Sequence, residues 1–312
     1  MEFRQLRYFV GVCEAGSLLK ASTRLHVAQP ALGQQIAALE HGLGVKLFDR
    51  SSRGMALTEA GRVFLEHARV VLADADRARE AVRATDAEPR GAVSLGLPTT
   101  AGLIATVPLL SACRERFPQV TLRIVEGYSG FLREWLQGGR LDLSLLYGDA
   151  PDPALSKRLL MEDRLALIST PGGRPVPRKL TLAALADWPL ILPGPDHGLR
   201  RIIDEACLKE GVRLNVVAEI EALNSVKRAV EAGLGGTILP LGAAADEIAT
   251  GRLRGRGIAS AHMVRRVVIA TSVTRPATTA TNAVMGLVTE VAMEMVRDGR
   301  WPARWVGKGA SH

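Results

Sequence analysis

Before residue 44, apolar residues recur three times at the three- and four-residue intervals of a helix. Between Phe3 and Ala15 they are Leu6, Phe9, Val10 and Cys13; after Ser17 they are Leu18, Ala21 and Leu25; after Pro30 they are Leu32, Ile36 and Leu39. Ser17 stands where a side-chain oxygen can cap the second helix. That helix breaks near His26 to Ala28, and Pro30 belongs in the first turn of the third, where a missing N–H costs nothing. Two helices joined by so tight a turn form a helix-turn-helix, with the first helix as support. The third helix turns Gln29, Ala31, Gln34 and Gln35 away from its apolar side. These are short or amide-bearing groups suited to base edges in a major groove, since an amide offers donor and acceptor together. An ordinary pair of packed helices with a glutamine-rich solvated face has the same pattern.

Lys46 to Thr58 (KLFDRSSRGMALT) sets two short apolar runs around Ser-Ser-Arg-Gly, which predicts a small hairpin, or wing, with Gly54 at its turn. Arg50 and Arg53 lie on it and are placed either for phosphates and a narrow minor groove or simply for solvent. Thr58 can cap the next helix, expected from Glu59 to about Thr85. Along that helix Phe64, Val71 and Ala78 recur every seven residues, and Ala68, Ala75 and Val82 fill the second seam position. A helix of roughly 40 Å, at ~1.5 Å per residue, is not stable alone. A second copy of the chain is the simplest partner and would set two reading helices on one duplex; packing on the chain's own core is the alternative.

Ala87 to Gly91 (AEPRG) is polar and contains Pro89 and Gly91, which marks a hinge. Strand and helix patterns then alternate: Val93, Leu95 and Leu97; a helix through Leu109, Leu110 and Cys113; VTLRIVE; FLREWLQGG; LDLSLLYG. From Arg164 the alternation restarts with LALIST and PLILP, and a last strand, VRRVVIATSV, precedes a final helix near Thr278 to Arg297. The expected organisation is α+β and multidomain. A winged helix-turn-helix fills 1–58, a linker helix 59–87 and a hinge 88–91. Two α/β lobes with a cleft between them take 92–163 plus 268–300 and 164–267, and an unassigned basic tail takes 301–312, disordered after Trp305.

Composition narrows the function. The 312 residues carry a net charge of +8, but many basic residues lie late, Arg265 and Arg266 among them, so the charge points only weakly to nucleic acid. No run approaches a membrane span, and the first residues lack a signal-peptide pattern, so a cytoplasmic protein with no membrane partner is expected. Cys13, Cys113 and Cys207 are too far apart in sequence for a zinc or redox pair, and the six histidines have no metal-ligand spacing. No metal, cofactor or catalytic group is expected. Gly127-Tyr128-Ser129-Gly130 has Phe131 where a nucleophile elbow needs glycine. Gly233-Leu234-Gly235-Gly236 has Ile238 at the last glycine of a dinucleotide loop and precedes a strand instead of following one. An enzyme is therefore disfavoured, as is a transport-type binding protein, which would have no reading head.

The segments RQLRYFVGVCEAGSLLKAS, AQPALGQQIAALEHGLGVKLFDR and RGMALTEAGRVFLEHAR, in this order and spacing, resemble the LysR-type transcriptional regulators. The likeness runs through nearly the whole chain. GRLDLSLLYG and EALNSVKRAVEAGLGGTILP resemble the nitrogen-assimilation-control branch, some of whose members act without a bound metabolite. The resemblance implies a regulator that binds double-stranded promoter DNA as a homodimer or homotetramer and carries a periplasmic-binding-protein-like effector domain. It puts Gln29, Pro30, Ala31, Gln34 and Gln35 at the DNA, with Arg50 and Arg53 on the wing. Gly33 departs from the family, which usually has serine there, often touching phosphate. In the effector cleft the resemblance implies Thr99, Thr100, Ser129, Tyr147, and the loop Asp196 to Leu199 with His197 and Gly198. Hydroxyls beside helix starts near Leu103, Gly130 and Leu199 would suit a small anionic effector; alternatively, Thr99, Thr100 and Ser129 simply cap those helices.

Overall fold

The computed structural model describes residues 1–51, 54–83 and 88–307, in two compact units, Met1–Ala87 and Glu88–His312. In the first unit α1 (Phe3–Ala15), α2 (Leu18–Leu25) and α3 (Gln29–Leu43) precede a hairpin of β1 (Phe48–Ser51) and β2 (Gly54–Leu57), and α4 (Glu59–Arg83) follows. Leu6, Phe9, Ala21, Leu32, Ile36 and Leu39 meet in one buried core. The Phe9 ring lies 5.2 Å from Phe48 and 5.0 Å from Phe64, so α1 supports both the wing and α4. The chain turns between α2 and α3 at His26, whose φ of 53° is left-handed, and Pro30 falls in the first turn of α3. Thr58 accepts from the Gly61 N–H at 2.9 Å and so caps α4, while its hydroxyl donates to the Lys46 carbonyl. A Cβ on Gly61 would lie 2.1 Å from the Leu47 carbonyl oxygen, so only glycine lets α4 start this close to the wing.

Two expectations change here. Ser17 occupies the cap position of α2, but its side chain makes no capping bond. Phe64 and Ala68, read as half of a dimer seam, are turned into the head's own core with Leu72 beside them, because α4 packs along α1. Val71 and Ala78 stay exposed and Ala75 half-buried. Thr85 and Arg53 lie outside the described residues, as do the side chains of Arg50 and Val82.

In the second unit β3 (Gly91–Pro98), α5 (Thr99–Arg116), β4 (Val120–Gly127), α6 (Ser129–Gln137) and β5 (Leu143–Tyr147) form a parallel core with β3 in the middle. β6 (Leu155–Ser169) is one strand of 15 residues where the sequence suggested a restart at Arg164. Beyond it lie β7 (Leu190–Leu192), α7 (Gly198–Glu210), β8 (Val216–Glu219), α8 (Leu223–Glu231), β9 (Thr237–Pro240), α9 (Ala245–Ala249), β10 (Arg254–Gly257), β11 (Val264–Ser272), α10 (Thr279–Arg297) and β12 (Ala303–Trp305). The main sheet runs β10-β6-β11-β5-β3-β4, with β9 and β12 also paired to β6.

Besides a smaller core under α6 with Leu132, Leu136, Leu146 and Val268, two larger apolar cores flank this arrangement among the described residues. One joins β3, α5, β5, β11 and α10; the other gathers Leu165 to Ile168 with Leu190, Ile203, Val230 and Ile238. β6 serves both. Its first part pairs with β11, and residues from Leu165 onward pair with β9 and β10. The segment after α10, unassigned from sequence with disorder expected after Trp305, is folded through Gly307. Trp301 is buried in the first core and β12 adds to β6 at Met161 to Asp163.

Candidate functional site

In the first unit, Leu32, Ile36 and Leu39 hold α3 to the core, and the helix presents Gln29, Pro30, Ala31 and Gln34 as exposed residues, with Gln35 half-buried. The buried stripe fixes which side faces out, since residues four apart share a face. The start of α3 and the next turn thus display amides and small groups without charge competition. Glu40, buried near the end of α3, accepts from the Leu47 and Phe48 N–H groups at 2.9 and 3.2 Å and from Lys46 Nζ at 2.9 Å. This carboxylate ties the first wing strand to α3. Burial works to raise its pKa, but Lys46 and the two N–H groups outweigh burial and hold it below the ordinary glutamate value.

In the second unit, Thr99, Thr100, Ser129, Tyr147, His197 and Gly198 all line one cavity of about 340 Å³ between the two cores. α5 begins at Thr99, not near Leu103, which places both threonines in its first turn. Neither α5 nor α6 has a side-chain capping bond, so Thr99, Thr100 and Ser129 are not serving as caps. Thr100 Oγ1 instead lies 2.5 Å from the Tyr147 hydroxyl and accepts from Arg265 at 3.0 Å. His197 does cap α7: its Nδ1 accepts from the Leu199 N–H at 3.0 Å. Burial pushes this imidazole below its ordinary pKa, so near neutral pH it is uncharged, with its proton on Nε2. Tyr128, on the first lobe, packs edge-on against the His197 ring at 4.8 Å and closes one side of the cleft.

The charged centre of the cleft was not identified from sequence. Arg265 on β11 is 2% exposed and pairs with Asp163 on β6, 1% exposed, at 2.6 Å. Its guanidinium also lies 4.0 Å over the Tyr147 ring. Burial raises the Tyr147 phenol, which therefore stays protonated. Arg265 Nε and Thr237 Oγ1, both on cavity-lining residues, are buried with no hydrogen-bond partner. In strand register Arg265 shares a face with Met263 and Val267, both buried. That parity is the sequence signal that distinguishes it from Arg266.

Among the described residues no group of histidine, cysteine and carboxylate side chains is placed to hold a metal, and no helix is long and apolar enough to cross a membrane. Burial pushes the Cys13 thiol up to about 12 and Cys207 to about 11, and raises Cys113, which leaves little thiolate near neutral pH.

Residues 3–62 match the lysR family of bacterial regulatory helix-turn-helix proteins, and residues 86–293 match the LysR substrate binding domain. The nitrogen assimilation regulatory protein Nac of Klebsiella aerogenes is 36% identical over 248 residues, covering 78% of this chain and 80% of that protein. A full-length OxyR variant from Pseudomonas aeruginosa superposes with a TM-score of 0.69 at 25% identity, over 93% of this chain and 94% of that one. Full-length CbnR complexed with its target DNA shares the fold at a TM-score of 0.67 and 24% identity, over 94% and 99%. With both domains on one chain, the protein belongs to the LysR family of DNA-binding transcriptional regulators.

Proposed function

We propose that this regulator, which is not an enzyme, acts in the cytoplasm on double-stranded promoter DNA. It binds as a homodimer or homotetramer under control of a small effector carrying an anionic group. The observation that supports the effector is the pair of unpartnered buried polar atoms, Arg265 Nε and Thr237 Oγ1, on residues lining the cavity. A buried polar atom without a partner costs free energy that a bound acceptor would recover. Thr99, Thr100, Ser129, Tyr147, His197 and Gly198 are the further effector contacts in this reading.

At the DNA, Gln29, Ala31, Gln34 and Gln35 meet base edges, Pro30 sets the helix start, and Arg50 and Arg53 meet phosphate. Val71, Ala75 and Ala78 lie on the side of α4 that remains for a partner copy. A mobility-shift titration on intergenic DNA upstream of the gene, at several salt concentrations, tests the DNA assignment. Gln34→Ala should relax base preference, and Arg53→Ala should weaken all sequences alike with a shallower salt slope. Absence of salt-sensitive specific binding at every promoter tested would refute it.

A further inference from the structure

The charges around the cleft do not suit a simple anion. Among the described residues lining the cavity, the carboxylates are Glu126, near the end of the first-lobe strand β4, and Glu221, which follows the second-lobe strand β8. The one guanidinium among them, Arg265, is already matched by Asp163. A ligand bringing only negative charge would enter a space whose unmatched charge is already negative. The local groups are nonetheless split by type. Arg265 Nε is a donor lacking an acceptor and Thr237 Oγ1 is a hydroxyl lacking any partner, whereas Glu126 and Glu221 offer acceptors. One Glu221 oxygen, Oε1, takes the Gly194 N–H at 2.8 Å. Even so, a carboxylate can accept further bonds.

We infer that the cleft is built for a zwitterion of the α-amino acid type, its carboxylate taken by Arg265 Nε and Thr237 Oγ1 and its ammonium held between Glu126 and Glu221. This rests on the effector reading above and specifies its ligand class. The ammonium end bridges the lobes, because Glu126 belongs to one and Glu221 to the other. Tyr128, whose hydroxyl donates to the Glu221 backbone carbonyl at 3.5 Å and whose ring packs edge-on against His197, closes over that end. The apolar wall formed by Leu103, Leu223 and Leu239 leaves room for an aliphatic or aromatic side chain.

The test uses the full-length protein, first by thermal shift and then by calorimetric titration, with the proteinogenic L-amino acids as probes. Each is paired with its two halves: for leucine, isocaproate without the amine and isoamylamine without the carboxylate. The expected result is that at least one intact amino acid binds and stabilises, while either half alone binds about tenfold or more weakly, the loss expected for one charge-assisted hydrogen bond. Glu221→Gln keeps the acceptor for Gly194 and removes the charge; it and Glu126→Gln should each weaken the amino acid and leave the amine-free half bound no more weakly than before, or more tightly. Thr237→Val removes a hydroxyl that has no partner, so the unliganded protein should melt no lower than wild type and yet bind the amino acid more weakly.

Equal binding of the amine-free carboxylates, indifferent to both Glu→Gln variants, would overturn the zwitterion assignment and leave the anionic-effector reading standing. Binding unaffected by all three variants would place the ligand elsewhere and overturn it as well. If no probe binds, intact or halved, both readings fall.

Discussion

Glu40 offers the sharpest test of how the reading head is held together. It is 4% exposed and accepts two backbone N–H groups, from Leu47 and Phe48, at the point where the chain enters the wing. Its third partner, Lys46, has a side chain 74% exposed, so that ion pair is screened and worth less than about 1 kcal/mol. The two buried N–H groups therefore dominate. Glu40→Ala leaves both without an acceptor at about 1–3 kcal/mol each, a total of about 2–6 kcal/mol. That is a large share of the stability available to a unit of this size, at ~0.05–0.15 kcal/mol per residue. Glu40→Gln keeps an acceptor oxygen and should cost about 1–2 kcal/mol, mainly the charge-assisted part.

Thermal melts at neutral pH, together with hydrogen exchange of the Leu47 and Phe48 amides, measure both variants. The acid limb supplies an independent reading. Because the folded-state pKa of Glu40 is lowered, its contribution is complete above the ordinary glutamate value of about 4.3 and is lost as pH falls through the lower folded value. Wild type should therefore lose head stability below about pH 4, and Glu40→Gln should lose less over that window. An alanine variant that melts with wild type and protects both amides would refute the network.

Val71→Glu puts like charges on the side of α4 left open for a partner and should shift sedimentation from dimer to monomer; a mutant that stays dimeric moves the interface elsewhere. Trp301→Ala empties the site of a fully buried indole and should cost about 3–5 kcal/mol, whereas Trp301→Phe should cost much less because the indole N–H it removes has no partner; similar melting temperatures for the two would contradict this packing. A Cβ at Gly33 would meet nothing within 4 Å, so Gly33→Ser should stabilise α3 by about 0.5 kcal/mol through helix propensity and also tighten DNA binding. Tighter folding with unchanged affinity in anisotropy titrations would place the start of α3 away from phosphate.

The helical head was legible because a helix held by one apolar stripe writes its buried face into the spacing: Leu32, Ile36 and Leu39 determine that Gln34 is outside. The hydroxyls that line the cavity were supplied by the family resemblance, and their places at strand ends and helix starts gave only secondary support. Three features were hidden for identifiable reasons. Asp163 and Arg265 are charged residues at inward strand positions, and their partnership depends on β6 and β11 lying side by side, which periodicity within one strand cannot reveal. The first half of β6 carries Lys157, Arg158, Glu162 and Asp163, whose charges masked its strand pattern. On α4, seven-residue spacing identified an apolar stripe but could not say which partner used each part of it, and α1 had taken Phe64 and Ala68.

The magnitude of the signal also favours a ligand with two charged ends. Turning a regulator from about 1:99 to 99:1 requires roughly 5.5 kcal/mol of differential binding between the two states. The two charge-assisted hydrogen bonds open to a lone carboxylate, at Arg265 and Thr237, supply about 3–6 kcal/mol at about 1.5–3 kcal/mol each, which meets that requirement only at its upper end. Contacts at Arg265 and Thr237 together with contacts at Glu126 and Glu221 reach the required range, provided that they form only when the lobes close. Of the strands that carry this centre, β6 serves both cores and pairs with β11, and β12 is laid along β6 at Met161 to Asp163. Binding energy gathered at Arg265 therefore acts on the strands about which the lobes would move.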